Sequence, residues 1–299
     1  MCAKPNVPPL SIMYIHIVCM SIRLSRWCGL KGLLLSPMRF YSGIMTVALA
    51  AGCPAFAHAQ DSFADAFWQF RASSGFDFSS GYYGAAKRTE ILYLPVTLQA
   101  AKGPWTLKAV VPWVRVSGPA MLLDGSAEGT TGVRSSGAAS GVGDISLSGT
   151  YAVESLYTYG LFVDLTGRVK IPTASFSKGL GTGAWDGAVQ IDVAKSLGDF
   201  MPFVSLGYRF TGRPDGFALR NVVFGTVGLQ YTWSQMVTTG LYYDVRQAAI
   251  KAAASPQEGT AYVNVRFNDN WSLNTYAVAG FSPNSPSAGG GMVVTYHWR

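Results

Sequence analysis

The stretch "YGLFVDLTGRVKI", residues 159–171, alternates strictly. Its odd positions read Tyr159, Leu161, Val163, Leu165, Gly167, Val169 and Ile171, while its even positions carry Asp164, Thr166, Arg168 and Lys170. Successive side chains of a β-strand point to opposite faces, so this segment reads as a strand that is apolar on one side and polar on the other.

The same period recurs in residues 145–151, 204–210, 237–245, 261–267 and 292–298. About twelve such segments are legible, near residues 66–77, 89–101, 104–117, 143–154, 158–171, 184–197, 201–213, 220–233, 236–248, 258–268, 271–280 and 289–298. From Gln60 onward no run of 18 apolar residues occurs, so no transmembrane helix is expected. The connections alternate in length. Those at 102–103, 154–157, 198–200, 234–235 and 268–270 are tight, while those around 78–88, 118–142, 172–183, 214–219, 249–257 and 281–288 are longer and rich in Gly, Ser, Pro and Ala.

An even strand count, short turns alternating with long loops, and aromatic residues near strand ends (Trp68, Trp105, Trp113, Tyr151, Tyr159, Trp185, Tyr208, Tyr231, Trp233, Trp271, Tyr296, Trp298) read as one architecture. That architecture is all-β: a transmembrane antiparallel up-and-down β-barrel of about 12 strands in the bacterial outer membrane, with both termini periplasmic. A secreted β-sandwich also alternates, because one face packs on a second sheet, but it explains neither the loop alternation nor the Trp and Tyr placement.

The first 59 residues are set apart from this fold. Met38-Arg39, the apolar run at 44–51, Pro54 and Ala57-His58-Ala59 before Gln60 form a basic n-region, an h-region and an A-x-A cleavage site, so 38–59 reads as a secretory signal peptide. Residues 1–37 read as an over-extended start or leader, with Met13, Met20 and Met38 as further possible starts. A competing lipoprotein box at 49–53 would acylate Cys53, but Ala50 stands where Leu is usual. The barrel is assigned to 60–299.

Excluding the leader changes the charge. Of the 23 Lys and Arg, five precede Gln60, and none of the 16 Asp and Glu do, leaving 18 against 16 and a net of +2 rather than +7. The basic balance therefore belongs to the leader and gives no support to nucleic-acid binding. All four cysteines (Cys2, Cys19, Cys28, Cys53) also lie there, so the barrel has no disulfide, thiol nucleophile or cysteine metal site. No cofactor or metal is expected.

The runs "GDISLSGTY" (143–151), "VKIPT" (169–173) with "GLGTGAWDGAVQIDVAKSLGDFMPFVSLGYRFTG" (179–212), and "ILYLPVTLQAAKGPWTLKAVVPWVRVSG" (91–118) resemble the outer-membrane proteins of the phenol meta-pathway degradation family. The resemblance spans nearly all of 60–299. It implies an outer-membrane transport protein of a kind often encoded near aromatic-catabolism genes, and it carries no catalytic residues over. Its sharpest pieces are Gly143-Asp144, Ile171-Pro172-Thr173, and Gly179 to Gly183 with Asp186. One departure is Arg299 after Trp298, since such barrels usually end on the aromatic residue that the barrel-assembly machinery reads.

Gly179-Leu180-Gly181-Thr182-Gly183-Ala184 also satisfies the G-x-G-x-x-A spacing of a dinucleotide turn. Such a turn needs a buried apolar strand before it and a helix after it, whereas both flanks here alternate. The glycines are read as an extracellular loop, with Lys178 and Asp186 at the pore mouth.

Enzymatic chemistry has little to work with. From Gln60 onward the single histidine is His297, without a partner identifiable in the sequence, so a nucleophile-histidine hydrolase is not expected. Asp186 and Asp192 lie six apart on one strand face, roughly 20 Å at ~3.3 Å per residue, too far for a carboxylate pair.

By strand phase the candidate lumen-lining residues are Arg71, Lys108, Asp164, Arg168, Lys170, Asp186, Asp192, Arg209, Arg213, Tyr242, Asp244, Arg246 and Arg266, with Gln69, Asp144, Thr166, Gln190, Asn264 and Asn274 beside them. Cations are slightly ahead. These charges either pair and fill a narrow interior or line a constriction that attracts anionic or phenolic solutes. Filling with a narrow water path is the reading taken. The 25-residue segment 118–142, with Met121-Leu122-Leu123, is the one long enough to fold inward as a constriction loop.

Three functions follow. The family resemblance and the lumen candidates Tyr93, Tyr242 and Tyr276 imply a passive channel for small hydrophobic or aromatic solutes. The cations favour a narrow porin for anionic oligosaccharides, and a balanced interior favours a non-conducting structural barrel. The partners expected are outer-membrane lipid and lipopolysaccharide, the barrel-assembly machinery and a small-molecule solute.

Overall fold

The computed structural model describes residues 67–120, 137–214 and 218–298. The expected leader and signal peptide, the four cysteines, the Met121-Leu122-Leu123 part of the long loop and Arg299 lie outside the described residues.

The alternating segments become β1 (Gln69–Gly81), β2 (Thr89–Lys102), β3 (Trp105–Ser117), β4 (Ala138–Val142), β5 (Ile145–Ala152), β6 (Leu161–Ile171), β7 (Asp186–Lys195), β8 (Phe200–Phe210), β9 (Val222–Thr232), β10 (Val237–Arg246), β11 (Gln257–Arg266), β12 (Trp271–Gly280) and β13 (Ala288–Trp298). Consecutive strands pair antiparallel, except that β4 and β5 both pair with β3, and β1 pairs with both β2 and β13, which closes the sheet on itself. Closure removes the edges, whose unpaired peptide groups would each cost several kcal/mol in hydrocarbon.

Thirteen strands make a twelve-stave barrel because β4 and β5 share one place: β4 pairs with 113–117 of β3 and β5 with 105–110. The segment expected to start at Gly143 therefore starts at Ala138 and is interrupted at Gly143-Asp144. The Gly143 amide donates to the Pro112 carbonyl at 2.9 Å, and a Cβ on Gly143 would stand 2.9 Å from the Pro112 and Val114 side chains. Pro112 faces Pro95 across β2 and β3, so neither residue supplies an N–H donor to the ladder at that level.

A second difference concerns Tyr159. It was expected on the apolar strand face, but it ends a 3-10 turn, Glu154–Tyr159, and β6 begins only at Leu161. Gly160 adopts a left-handed φ of 63° that caps this turn.

The connections alternate as expected. Tight turns join β2 to β3, β5 to β6, β7 to β8, β9 to β10 and β11 to β12, and, apart from the β4–β5 interruption, longer connections separate the other consecutive strands, among them 82–88, 172–185, 247–256 and 281–287. Both Phe70 near the start of β1 and Trp298, its register partner at the end of β13, lie at the short-turn end, which is periplasmic by the rule for such barrels.

One row of each strand faces outward and is apolar, as in Val189-Ile191 of β7 and Val204-Leu206-Tyr208 of β8. At the turn end Phe70, Trp298, Tyr296 and Trp271 stack in sequence, and Tyr231 packs between Phe200 and Trp233, forming an aromatic girdle. This outward apolar band on a closed ring of strands places the barrel in the outer membrane.

Candidate lumen and its loop-side cover

The opposite row of every strand turns inward and carries the polar residues. Arg71 on β1, Lys108 on β3, Asp164, Arg168 and Lys170 on β6, Asp186 and Asp192 on β7, Arg209 on β8, Tyr242, Asp244 and Arg246 on β10, and Arg266 on β11 all lie on inward rows. Arg213 does not. It stands beyond the end of β8 in the 211–221 loop and is exposed, because β8 ends at Phe210 rather than continuing to 213.

Two inward carboxylates were missing from the expected set. Asp77 and Glu258 sit on the inward rows of β1 and β11, near strand ends where phase is hardest to assign. With them, Arg71, Lys108, Arg168, Lys170, Arg209, Arg246 and Arg266 are matched by Asp77, Asp144, Asp164, Asp186, Asp192, Asp244 and Glu258. Among the described residues the interior is thus charge-balanced rather than slightly cationic. Arg246 pairs with Glu258 at 2.7 Å, and Arg266 with Asp269 at 2.7 Å.

The tightest constellation surrounds Lys170. Its ammonium donates to Asp144 Oδ2 at 2.9 Å and Thr182 Oγ1 at 2.9 Å, and lies 3.0 Å from Asp186 Oδ2. Each carboxylate is held further: Asp144 Oδ1 accepts the Ala174 amide at 3.0 Å, and Asp186 Oδ1 the Gly212 amide at 2.7 Å. Asp144 comes from the β4–β5 interruption, Lys170 from β6, and Asp186 from the start of β7, so the knot ties both ends of the 172–185 loop to the wall.

That tie folds the loop inward. Leu180, in the middle of the glycine motif, is 2% exposed and packs with Tyr83, Ile91, Tyr93, Val114, Val116, Ala120 and Ala174. A Cβ on Gly181 would lie 2.8 Å from both the Ala174 Cβ and an Asp144 oxygen, while Gly179 and Gly183 take φ of 67° and 70°. The motif is an extracellular loop, as expected, but its centre is inside the barrel. Lys178 is exposed at the rim, and Asp186 is buried as the partner of Lys170. Among the described residues this loop covers the loop side; residues 121–136 of the 118–142 segment lie outside them.

Neighbouring loops join hands around it. Gly84 donates to the Pro283 carbonyl at 2.8 Å, Asn284 Nδ2 to the Ala254 carbonyl at 2.6 Å, and the Arg220 amide to the Ala249 carbonyl at 2.8 Å. Tyr83 is buried and donates to Ser79 Oγ at 2.8 Å. Burial raises its phenol above the ordinary tyrosine range, so it remains a neutral donor.

A second inward patch is aromatic. Phe162, Met201, Phe203, Tyr242 and Tyr262 pack together with Tyr157 and Tyr276 at their margin. Several rings lie across a glycine directly opposite in register: Phe203 on Gly228, Tyr262 on Gly240 and Tyr276 on Gly291, where an added Cβ would stand 2.3, 2.4 and 2.7 Å from ring atoms. Their polar ends are satisfied. Tyr276 donates to Asp77 Oδ2 at 2.5 Å and Tyr262 to Gln230 Oε1 at 3.2 Å, and Thr226 donates to Asp244. Tyr242 and Tyr276 of this patch are among the residues expected in the lumen; Phe203 and Tyr262 are additional, and the glycines opposite them are the sequence signal that marks them.

His297, for which no partner was identifiable, contacts Ser272 through its Nε2 at 3.1 Å. Arg71 lies opposite His297 in register and Arg266 opposite Ser272. No carboxylate is bonded to the ring among the described residues, so the pair lacks the third group that would orient a nucleophile-base couple.

No protein-family model matches the sequence, and no curated protein does. Among solved structures, an outer-membrane channel from Pseudomonas putida F1 superposes with a TM-score of 0.60 at 14% identity, over 81% of this chain and 100% of that one. The KdgM porin in complex with disordered oligogalacturonate gives 0.48 at 8% identity, over 77% and 99%. The Pseudomonas putida toluene transporter TodX gives 0.39 at 10% identity, over 84% and 96%. At the first of these values the likeness is one of fold, and it agrees with the pairing and the outward apolar band: the chain is a twelve-stave outer-membrane β-barrel.

Proposed function

We propose that this barrel is a passive outer-membrane channel for small hydrophobic or aromatic solutes. The observation that carries this reading is the inward aromatic patch on β6, β8 and β10 to β12, with a separate apolar wall of Ile91, Tyr93, Val114 and Val116 on β2 and β3. The inside of such a barrel is ordinarily polar. Rings and aliphatic side chains there, with hydroxyls of Tyr262 and Tyr276 already bonded, favour a planar apolar solute over a hydrated one. The resemblance to the phenol meta-pathway family supports the same solute class. A porin for anionic oligosaccharides is less well supported, since the inward cations are matched by carboxylates.

The test is entry of a radiolabelled monoaromatic into proteoliposomes, set beside single-channel recording. Monoaromatic entry that falls with Phe203→Asp and Tyr262→Asp, in variants that still fold, is the expected result. A barrel that passes neither ions nor monoaromatics would be a structural one. Anion-selective conductance lost in Arg209→Ala and Arg246→Ala would instead establish the oligosaccharide porin.

A further inference from the structure

The outward rows of the described strands are almost free of charge. Only Glu90 and Lys102 on β2, Arg115 on β3 and Lys195 on β7 carry one. Lys102 and Lys195 lie at the turn end, where Lys102 covers the Trp68 ring at 5.9 Å. Glu90 and Arg115 lie at the loop end, on neighbouring strands: Arg115 is opposite Leu92 and Glu90 is opposite Ser117.

Height can be read from the strands themselves. β1, β2 and β3 have 13, 14 and 13 residues, whereas β6 to β13 have 10 or 11, the length that crosses the hydrocarbon. β1 runs one residue past its β13 ladder at each end, and β3 continues past β5 at the loop end, where it pairs with β4. Trp113 is outward on β3, and Arg115 stands two residues beyond it toward the loop end, on the same outward row.

Across β2 from it, Arg88 lies 5.4 Å over the Tyr82 ring and donates to Ser80 Oγ at 3.1 Å, which fixes it against the outward row of β1. Arg115 is exposed and makes no hydrogen bond or ion pair among the described residues. An exposed guanidinium at the loop end, with no partner among the described residues, is matched to an anion supplied by the membrane.

We infer that the outward face of β1 to β3 at the loop end is a docking site for a phosphorylated glycolipid headgroup of the outer leaflet, of the lipid A class. Arg88 and Arg115 hold a phosphate, Glu90 between them accepts sugar hydroxyls, and Phe76, Phe78 and Trp113 below receive acyl chains. The mixed set fits a phosphorylated sugar, which presents a phosphate and several ring hydroxyls together on one rigid scaffold, better than the small flexible headgroup of a glycerophospholipid. This site is independent of what passes through the lumen.

The experiment is native mass spectrometry of the delipidated barrel in detergent, titrated with hexa-acylated lipid A, with lipid A stripped of its phosphates, and with phosphatidylglycerol. Heat-modifiable gel mobility verifies that each variant keeps its barrel. The expected result is binding of intact lipid A that weakens roughly tenfold or more in the Arg88→Ala, Arg115→Ala double variant and is unchanged in the Lys102→Ala, Lys195→Ala double variant. Equal binding by the Arg88/Arg115 variant, equal binding of the dephosphorylated lipid, or equal binding of phosphatidylglycerol would each overturn the assignment.

Discussion

Lys170 Nζ lies 3.0 Å from Asp186 Oδ2 inside the barrel, with both side chains less than a tenth exposed. The two residues flank the glycine loop in sequence, one ending β6 and the other starting β7, and they are opposite in register. Their contact, with Asp144 as the third member, holds the loop side of the lumen covered by Leu180.

Removing the lysine leaves two buried carboxylates without their shared cation. Breaking a buried pair this way costs about 3–5 kcal/mol, so Lys170→Ala should release the 172–185 loop rather than unfold the barrel. Protease added outside whole cells should cut within 172–185 in the variant and spare it in the parent, and single-channel conductance should rise. A loop that stays protected would remove Lys170 from this role.

Gly181→Val reaches the same loop by sterics alone. The new side chain meets the Asp144 carboxylate and Ala174 at 2.8 Å, so the loop must move out with every charge intact. The expected outcome is the Lys170→Ala phenotype in proteolysis and conductance, while Lys178→Ala, at the exposed rim, changes neither.

Within the aromatic patch, Tyr276→Phe deletes the donor to Asp77 and strands a buried acceptor, which costs about 1–3 kcal/mol. Gly291→Leu drives a side chain into the Tyr276 ring and should cost at least as much. Urea-induced unfolding in lipid vesicles should show both losses, and stability at the parent value in Tyr276→Phe would mean that Asp77 finds another donor.

On the outer surface, Leu206 lies mid-strand on β8, opposite Ile191 and Gly225, facing lipid. Leu206→Arg should lower unfolding free energy in bilayers by about 2–4 kcal/mol. The same substitution at Ser205, on the inward row, should be tolerated or lost through packing, but with no dependence on bilayer thickness.

Period-2 alternation is a local property, so the strands, their inward and outward rows and the long and short connections follow from the order of residues alone. Asp164, Arg168, Asp192 and Asp244 could be placed on inward rows for that reason. Strand ends were less legible: Arg213 was carried past the true end of β8, Asp77 and Glu258 were passed over, and Tyr159 belongs to a turn that Gly160 closes.

Which inward residues meet is another matter, because it depends on register across strands and on how loops fold back. Asp144 and Lys170 are 26 positions apart and Asp77 and Tyr276 are 199 apart, and nothing in local periodicity links either pair. The sequence alone determined a closed barrel with a polar inner row and marked the glycines as a turn. Only the tertiary structure put Leu180 inside it, since the buried lysine needs both carboxylates, and Gly181 alone lets the chain pass close enough to reach them.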